Sequence, residues 1–137
     1  MTRTPDDCEH LTVSRVREIH AVMLEQFGGS TGVRDEGLLE SAVAAPQATA
    51  YGQSPFADLV EVAAAYLFYI CRNHSFIDGN KRTAMTAAIV FFRMNRMDSA
   101  PDGEAWEILV LDVAASKLDR DGTTRRFREL VSGYRSP

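Results

Sequence analysis

Between two apolar runs, Phe56 to Ile70 and Met85 to Phe92, the chain places the stretch His74 to Arg82, which reads HSFIDGNKR. Apolar segments of that length on both sides belong in a core, so the polar stretch must be brought to the surface between two buried helices. Polar residues at that density between buried segments mark a phosphate-handling site rather than packing. The rest of the chain reads as an α-helical scaffold that holds it.

At 137 residues, with 45% hydrophobic and 25% charged residues, the chain fits one soluble domain with a real core, residues 1–137, of which 1–10 read as a flexible tail. Cys8 and Cys71 have no pattern around them that suggests a disulfide framework or a zinc site, so they read as reduced, inert thiols in a cytoplasmic protein. The N-terminus lacks the apolar region of a secretory signal, and no run reaches the ~18 charge-free residues of a membrane span. A formal net charge of −4 opposes bulk electrostatic binding of nucleic acid, though not the binding of one phosphate-rich small molecule.

In chain order, Thr12 is a candidate N-cap for a helix carrying Val13, Val16, His20, Met23, Leu24 and Phe27, stopped by Gly28-Gly29. His20, on the apolar stripe, reads as a hydrogen-bonded residue at the core's edge rather than a ligand. The loop GGSTGVRD lacks the lysine and spacing of a phosphate-binding loop and reads as a flexible connector. Asp35 caps a short helix ended near Pro46, and QATAYGQ (Gln47 to Gln53) is a loop or short hairpin. Ser54-Pro55 signals the start of a third helix running to about Arg72, and a fourth spans about Asn80 to Met94. After a turn-rich break from Asn95 to Gly103, an amphipathic helix covers Glu104 to Lys117, and a last one begins near Thr123. The expected fold class is all-α, a single bundle of about six helices with a short flap hairpin or loop.

The central stretch supports definite chemistry, and each residue also has a plainer reading. His74 could take a proton from a hydroxyl near neutral pH and return it, or merely cap the carbonyls of the preceding helix. Phe76 and Ile77 are apolar within a polar loop, and one of them anchors it. Asp78 could hold Mg²⁺, which takes one or two carboxylates plus phosphate oxygens and water, or could be the N-cap of the next helix. Gly79, Asn80, Lys81 and Arg82 open that helix, where free backbone N–H groups favour an anion. The two cations stand where the helix dipole disfavours them, unless a bound anion offsets the cost.

HSFIDGNKRTA resembles the signature loop of the Fic/Doc superfamily, HxFx[DE]GNxxR, and lies nearest its Doc (death-on-curing) branch, in which NKRTA follows the glycine or alanine. FGGSTGVRDEGLLESA, the QATAYGQ segment and the paired apolar helices extend the likeness to nearly the whole chain. The resemblance implies that His74 is the general base, Phe76 the loop anchor and Asp78 the Mg²⁺ ligand. It makes Gly79, Asn80, Lys81 and Arg82 the nucleotide site, with Lys81 and Arg82 also catalytic. The segment around Thr49 and Tyr51 would be a flap that positions the target. ATP would be the substrate, with Mg²⁺ as cofactor.

Adenylylating members of the superfamily carry GNGRxxR. Here Lys81 stands in place of the glycine after asparagine, and Met85 in place of the second arginine. The Doc branch shares these changes and resembles a kinase that phosphorylates a threonine of elongation factor Tu, with adenylyl transfer as the alternative. The self-inhibiting [ST]xxxE[GN] motif fails at Glu36-Gly37, because Gly32 stands four residues before Glu36. Control therefore falls to an expected antitoxin partner whose C-terminal segment folds onto the toxin. A non-catalytic DNA-binding or adaptor module is the reading from another class. It rests on Arg120, Arg125, Arg126, Arg128 and Arg135, and the acidic total opposes it.

Overall fold

A computed structural model describes residues 3–97 and 103–133. Its architecture is the expected all-α one: α1 (Val13–Phe27), α2 (Glu36–Ala44), α3 (Leu59–Asn73), α4 (Asn80–Met94), α5 (Glu104–Ala114) and α6 (Arg120–Gly133), with a 3₁₀ turn at Ala45–Gln47. Among the described residues, extended pairing is confined to isolated bridges. Most of the break expected between Asn95 and Gly103, and Arg135, lie outside the described residues.

The apolar character of α3 decides the arrangement. Val62, Ala63, Ala64, Ala65, Tyr66 and Leu67 are all fully buried, so the helix needs neighbours on nearly every side. It packs against α2, α4, α5 and α6, and α1 closes over α4. Its alanines let α4 approach closely through Ala84, Ala87 and Ala88, which are likewise buried. The two helices that flank the central stretch are thus the rigid centre of the domain, and the loop between them inherits their fixed positions.

Several local signals act as expected. Thr12 accepts from Arg15 N–H at 3.0 Å, Asp35 accepts from Leu38 N–H at 2.9 Å, and Gly28 closes α1 with φ at 79°. The start of α3 differs. Ser54 does not cap it; its hydroxyl accepts from Phe56 N–H at 3.2 Å in a local turn. The N-cap is Asp58, which accepts from Glu61 N–H at 3.0 Å and is gripped by both terminal nitrogens of Arg128, at 2.8 and 3.2 Å. A cap with a tertiary partner on α6 outcompetes a purely local Ser-Pro signal. At α6, Asp119 accepts from Gly122 N–H at 2.7 Å, so the helix begins three residues before the expected Thr123. At the other end of the previous helix, α5 stops at Ala114, short of Lys117, with Ser116 in the left-handed region.

The segment before α1, read as a tail, is tied to the core. Asn95 accepts from Glu9 N–H at 2.8 Å and donates to Glu9 C=O at 2.9 Å, while the Tyr66 hydroxyl stands 2.8 Å from His10 Nδ1. Ala50 and Gln53 exchange two backbone hydrogen bonds at 2.8 and 3.0 Å around Tyr51 and Gly52, both at positive φ, which makes a two-residue hairpin of the expected flap. Cys71 is buried and its thiol is pushed up to about 11 by that burial, as befits an inert side chain.

Candidate active site

The end of α3 and the start of α4 open onto a cleft of about 520 Å³, lined on one side by His74, Ile77, Asp78, Gly79, Lys81 and Arg82. That volume is in the range of small-molecule sites. The sequence stretch that stood out for its polarity therefore forms one wall of a real concavity.

His74 is the C-cap of α3, in the left-handed conformation at φ 49° and ψ 47°. Its expected alternative role, capping the helix carbonyls, is taken by another residue. Arg34 donates from Nε to the His74 carbonyl at 2.8 Å and from a terminal nitrogen to the Asn73 carbonyl at 3.2 Å. The imidazole is exposed and, among the described residues, makes no hydrogen bond, so both ring nitrogens remain available to a ligand in the cleft.

The loop between His74 and α4 is held from below by the segment read from sequence as a flexible connector. Val33 and Phe76 form an antiparallel bridge, Arg34 and Asp35 donate their N–H groups to Ser75 C=O, and Ile77 N–H donates to Gly32 C=O at 3.1 Å. The connector pairs with this loop through that isolated bridge, and its glycines admit the close approach. A Cβ on Gly32 would stand 2.9 Å from Ile77 Cδ1, and one on Gly29 would stand 2.8 Å from Asp78 Oδ2. Phe76 is the buried anchor, 2% exposed, and Ile77 points outward. Asn80 closes the loop on itself: its amide donates to Phe76 C=O at 2.9 Å and its Oδ1 accepts from Phe76 N–H at 3.0 Å. That side chain is engaged with the loop's own backbone rather than held free as a donor for an anion.

Asp78 is not the N-cap of α4; Gly79 is, at φ 79° and ψ 13°, without a side-chain cap. The Asp78 carboxylate accepts from Ser30 N–H at 3.1 Å and from Gly79 N–H at 2.9 Å. These two donors, Ser30 foremost, hold its carboxyl below the usual range. An exposed, firmly ionised carboxylate beside a helix N-terminus is a donor that Mg²⁺ accepts when phosphate oxygens and water complete its shell. Among the described residues no three His, Cys, Asp or Glu side chains gather.

The first hydrogen bond of α4 runs from Thr83 N–H to Gly79 C=O at 3.0 Å, so the N–H groups of Asn80, Lys81 and Arg82 precede it without helical partners. There is no acidic residue in this turn. Lys81 is exposed, and the Arg82 guanidinium lies 4.1 Å from the centre of the Phe27 ring at the end of α1. Together they give the cleft a cationic floor, of a kind that suits an anion. Met85 lines the same cleft and adds no charge.

Two parts of this arrangement escape sequence reasoning. The far wall is α5, through Glu107, Val110, Leu111 and Ala114. A faint signal exists: Ile108 and Leu111 are apolar beyond the face that α5 buries, and both remain substantially exposed. Arg34 is the other, visible in advance only as one charge in a glycine-rich connector. Thr49 and Tyr51 lie outside the cleft lining; the hairpin tip projects Tyr51 fully into solvent.

The C-terminal arginines are largely spoken for. Arg128 pairs with Asp58, Arg126 with Asp112 and Arg120 with Asp121. Among the same residues no helix is long and apolar enough to cross a membrane.

Comparison with known proteins places this geometry. Residues 10–92 match the Fic/DOC family. The chain is 46% identical over 97 residues to "Toxin Doc" of Mycolicibacterium smegmatis, covering 69% of this chain and 75% of that protein. It is 37% identical over 87 residues to "Protein kinase doc" of Escherichia phage P1, covering 63% of this chain and 68% of that one. With the signature loop folded between its two core helices and the match spanning more than half its length, this chain belongs to the Fic/DOC family.

Proposed function

We propose that the protein is a Doc-type kinase, the toxin of a toxin–antitoxin pair, which transfers the γ-phosphoryl group of ATP to a threonine hydroxyl of elongation factor Tu in the cytoplasm. One observation carries the reading: an unengaged imidazole, an ionised carboxylate and a cationic helix N-terminus face a single cleft of nucleotide size. The names of the two relatives, one a toxin and one a protein kinase, support it.

In this reading His74 accepts the proton as the target oxygen attacks the γ-phosphorus and the bond to the β–γ bridging oxygen breaks, releasing ADP. Charge on the transferring group is met by the N–H groups opening α4 and by Lys81 and Arg82. Asp78 would hold Mg²⁺, which when bound would neutralise charge on the phosphates. Gly79 lets the phosphates approach the backbone, and Asn80 keeps the loop in shape through Phe76. The Thr49–Gln53 hairpin offers the target's backbone an edge beside which to lie. Met85 leaves no second arginine to grip distal phosphates in the adenylylating pose, which favours the kinase outcome over AMP transfer. An antitoxin whose C-terminal segment folds onto this surface silences the enzyme.

The test is to incubate the purified protein with elongation factor Tu, ATP and Mg²⁺ and weigh the target. A gain of one phosphate, lost with His74→Ala and with Asp78→Ala, is the expected result. A gain of one AMP assigns adenylylation instead, and no modification removes the kinase reading.

A further inference from the structure

His20 lies on α1, away from the signature loop in sequence, and is 6% exposed. Its ring stacks on Phe76, with centroids 3.8 Å apart and planes within 8°. Its Nε2 stands 2.8 Å from the backbone carbonyl oxygen of Asp78. A carbonyl can only accept, so Nε2 carries the proton and donates. A Cβ on Gly79 would lie 3.6 Å from two atoms of the same ring, so the imidazole also underlies the N-cap of α4. The ring thus stacks on Phe76, two residues before Asp78, lies beneath Gly79, the residue after it, and bonds to Asp78 itself.

We propose that His20 is a positioning residue for Asp78, acting through the backbone rather than through the ligand. Three donors then fix that residue: Ser30 and Gly79 N–H on the carboxylate, and His20 Nε2–H on the carbonyl. Gly79 N–H sets where the carboxylate points relative to its own main chain, and Ser30 N–H holds the carboxylate from the connector after α1. Of the three donors only His20 bonds the main chain of Asp78, and it ties that main chain to the core, because α1 packs on α4. Without it the Asp78 peptide can rotate about the Phe76 anchor while the carboxylate keeps Ser30 and Gly79. The carboxylate would then meet a magnesium–phosphate group out of register. The inference rests on the reading of Asp78 as the residue that meets that group. Loss of a hydrogen bond one step behind a metal-binding carboxylate weakens metal affinity by about ten- to a hundredfold.

The experiment measures ATP binding to the full chain by calorimetry across a range of Mg²⁺ concentrations, with melting temperature in parallel. His20→Phe keeps a ring to stack on Phe76 and removes the donor. His20→Gln keeps a donor amide and removes the ring. His20→Phe should need about ten to a hundred times more Mg²⁺ for half-maximal ATP binding at a nearly unchanged melting temperature, and His20→Gln should stay near the wild-type requirement. An unchanged Mg²⁺ requirement in His20→Phe, or a loss in both variants that simply follows their melting temperatures, overturns the proposal. If His20→Phe does not fold, His20→Gln decides: a near wild-type requirement supports the proposal, and a raised one at normal melting temperature defeats it. Asp78→Asn separates the layers. If it leaves the Mg²⁺ response intact, the reading of Asp78 fails and this inference with it. If it abolishes the response while His20→Phe preserves it, only the positioning role fails.

Discussion

Arg34 reaches the end of α3 and donates from Nε to the carbonyl of His74 at 2.8 Å, fixing from behind a residue whose ring is free in front. A histidine at φ 49° holds a conformation that few non-glycine residues adopt, and the guanidinium bonds to two successive carbonyls help to keep it there. Arg34→Met should lower kcat for phosphoryl transfer by about ten- to a hundredfold, because small misplacements of a base are costly. Arg34→Lys should rescue little of this, since an ammonium cannot span both carbonyls. The KM for ATP should barely move, as Asp78 and the start of α4 keep their own contacts. Steady-state kinetics on the three proteins checks it; a rise in KM with normal kcat would contradict the assignment.

Gly29 and Gly28 make a matched pair. Both have positive φ, at 121° and 79°, so alanine at either costs backbone strain of roughly 1–3 kcal/mol. Only at Gly29 would the added Cβ press on Asp78 Oδ2, at 2.8 Å; at Gly28 it meets nothing within 4 Å. Chemical denaturation should therefore show both variants destabilised, while Mg²⁺-dependent ATP binding falls selectively in Gly29→Ala. Equal binding losses in the two would mean that the contact with Asp78 is irrelevant.

How much of this was legible depended on where the information sits. His74 to Arg82 could be read because a polar stretch between apolar helices is a local contrast, and helix periodicity placed α1, α4 and the buried face of α5 within a few residues. Asp58 could not be preferred over Ser54 as a cap, because its advantage comes from Arg128, seventy positions away. The α5 wall and the strand-like support from Gly32 to Asp35 are tertiary pairings, with no periodic signature of their own. The sequence places Asn80 at the start of α4 without saying what its amide touches; only geometry reveals that it is bonded to Phe76. The identity of the site came from the signature loop's likeness to a family, not from periodicity.

The Asp58–Arg128 pair predicts a pH-dependent stability term. Hydrogen bonding to Arg128 is the main influence holding the Asp58 carboxyl below its usual value. A carboxyl depressed in the folded state contributes stability above its unfolded pKa, near 3.9, and loses it as pH falls through the lower folded value. Both side chains are nearly half exposed, so screening limits the pair to about 1 kcal/mol. Arg128→Met should therefore be less stable than the parent by about that amount at pH 7, and the gap should close as pH falls below about 4. Urea denaturation at a series of pH values measures the gap directly. A difference that persists unchanged in acid would assign the loss to packing of the arginine stem instead.

Tyr51 sets local preference against function. It is fully exposed at the tip of the hairpin, at φ 55°, followed by Gly52 at φ 77°. A two-residue turn with both central residues at positive φ favours Asn-Gly, so tyrosine there is a poor choice for the fold alone. A bulky aromatic kept in solvent at local cost is what a contact for a partner protein looks like, with one face to bury and a hydroxyl to bond. Tyr51→Asn should leave the melting temperature equal or slightly higher, with the hairpin gaining a few tenths of a kcal/mol. At the same time the KM for the protein target should rise at least about fivefold, equivalent to about 1 kcal/mol of lost contact, while the KM for ATP stays fixed because the hairpin does not line the cleft. Tyr51→Phe separates ring from hydroxyl. Should Tyr51→Asn modify its target with unaltered kinetics, the hairpin's part in positioning the target would have to be assigned to its backbone alone.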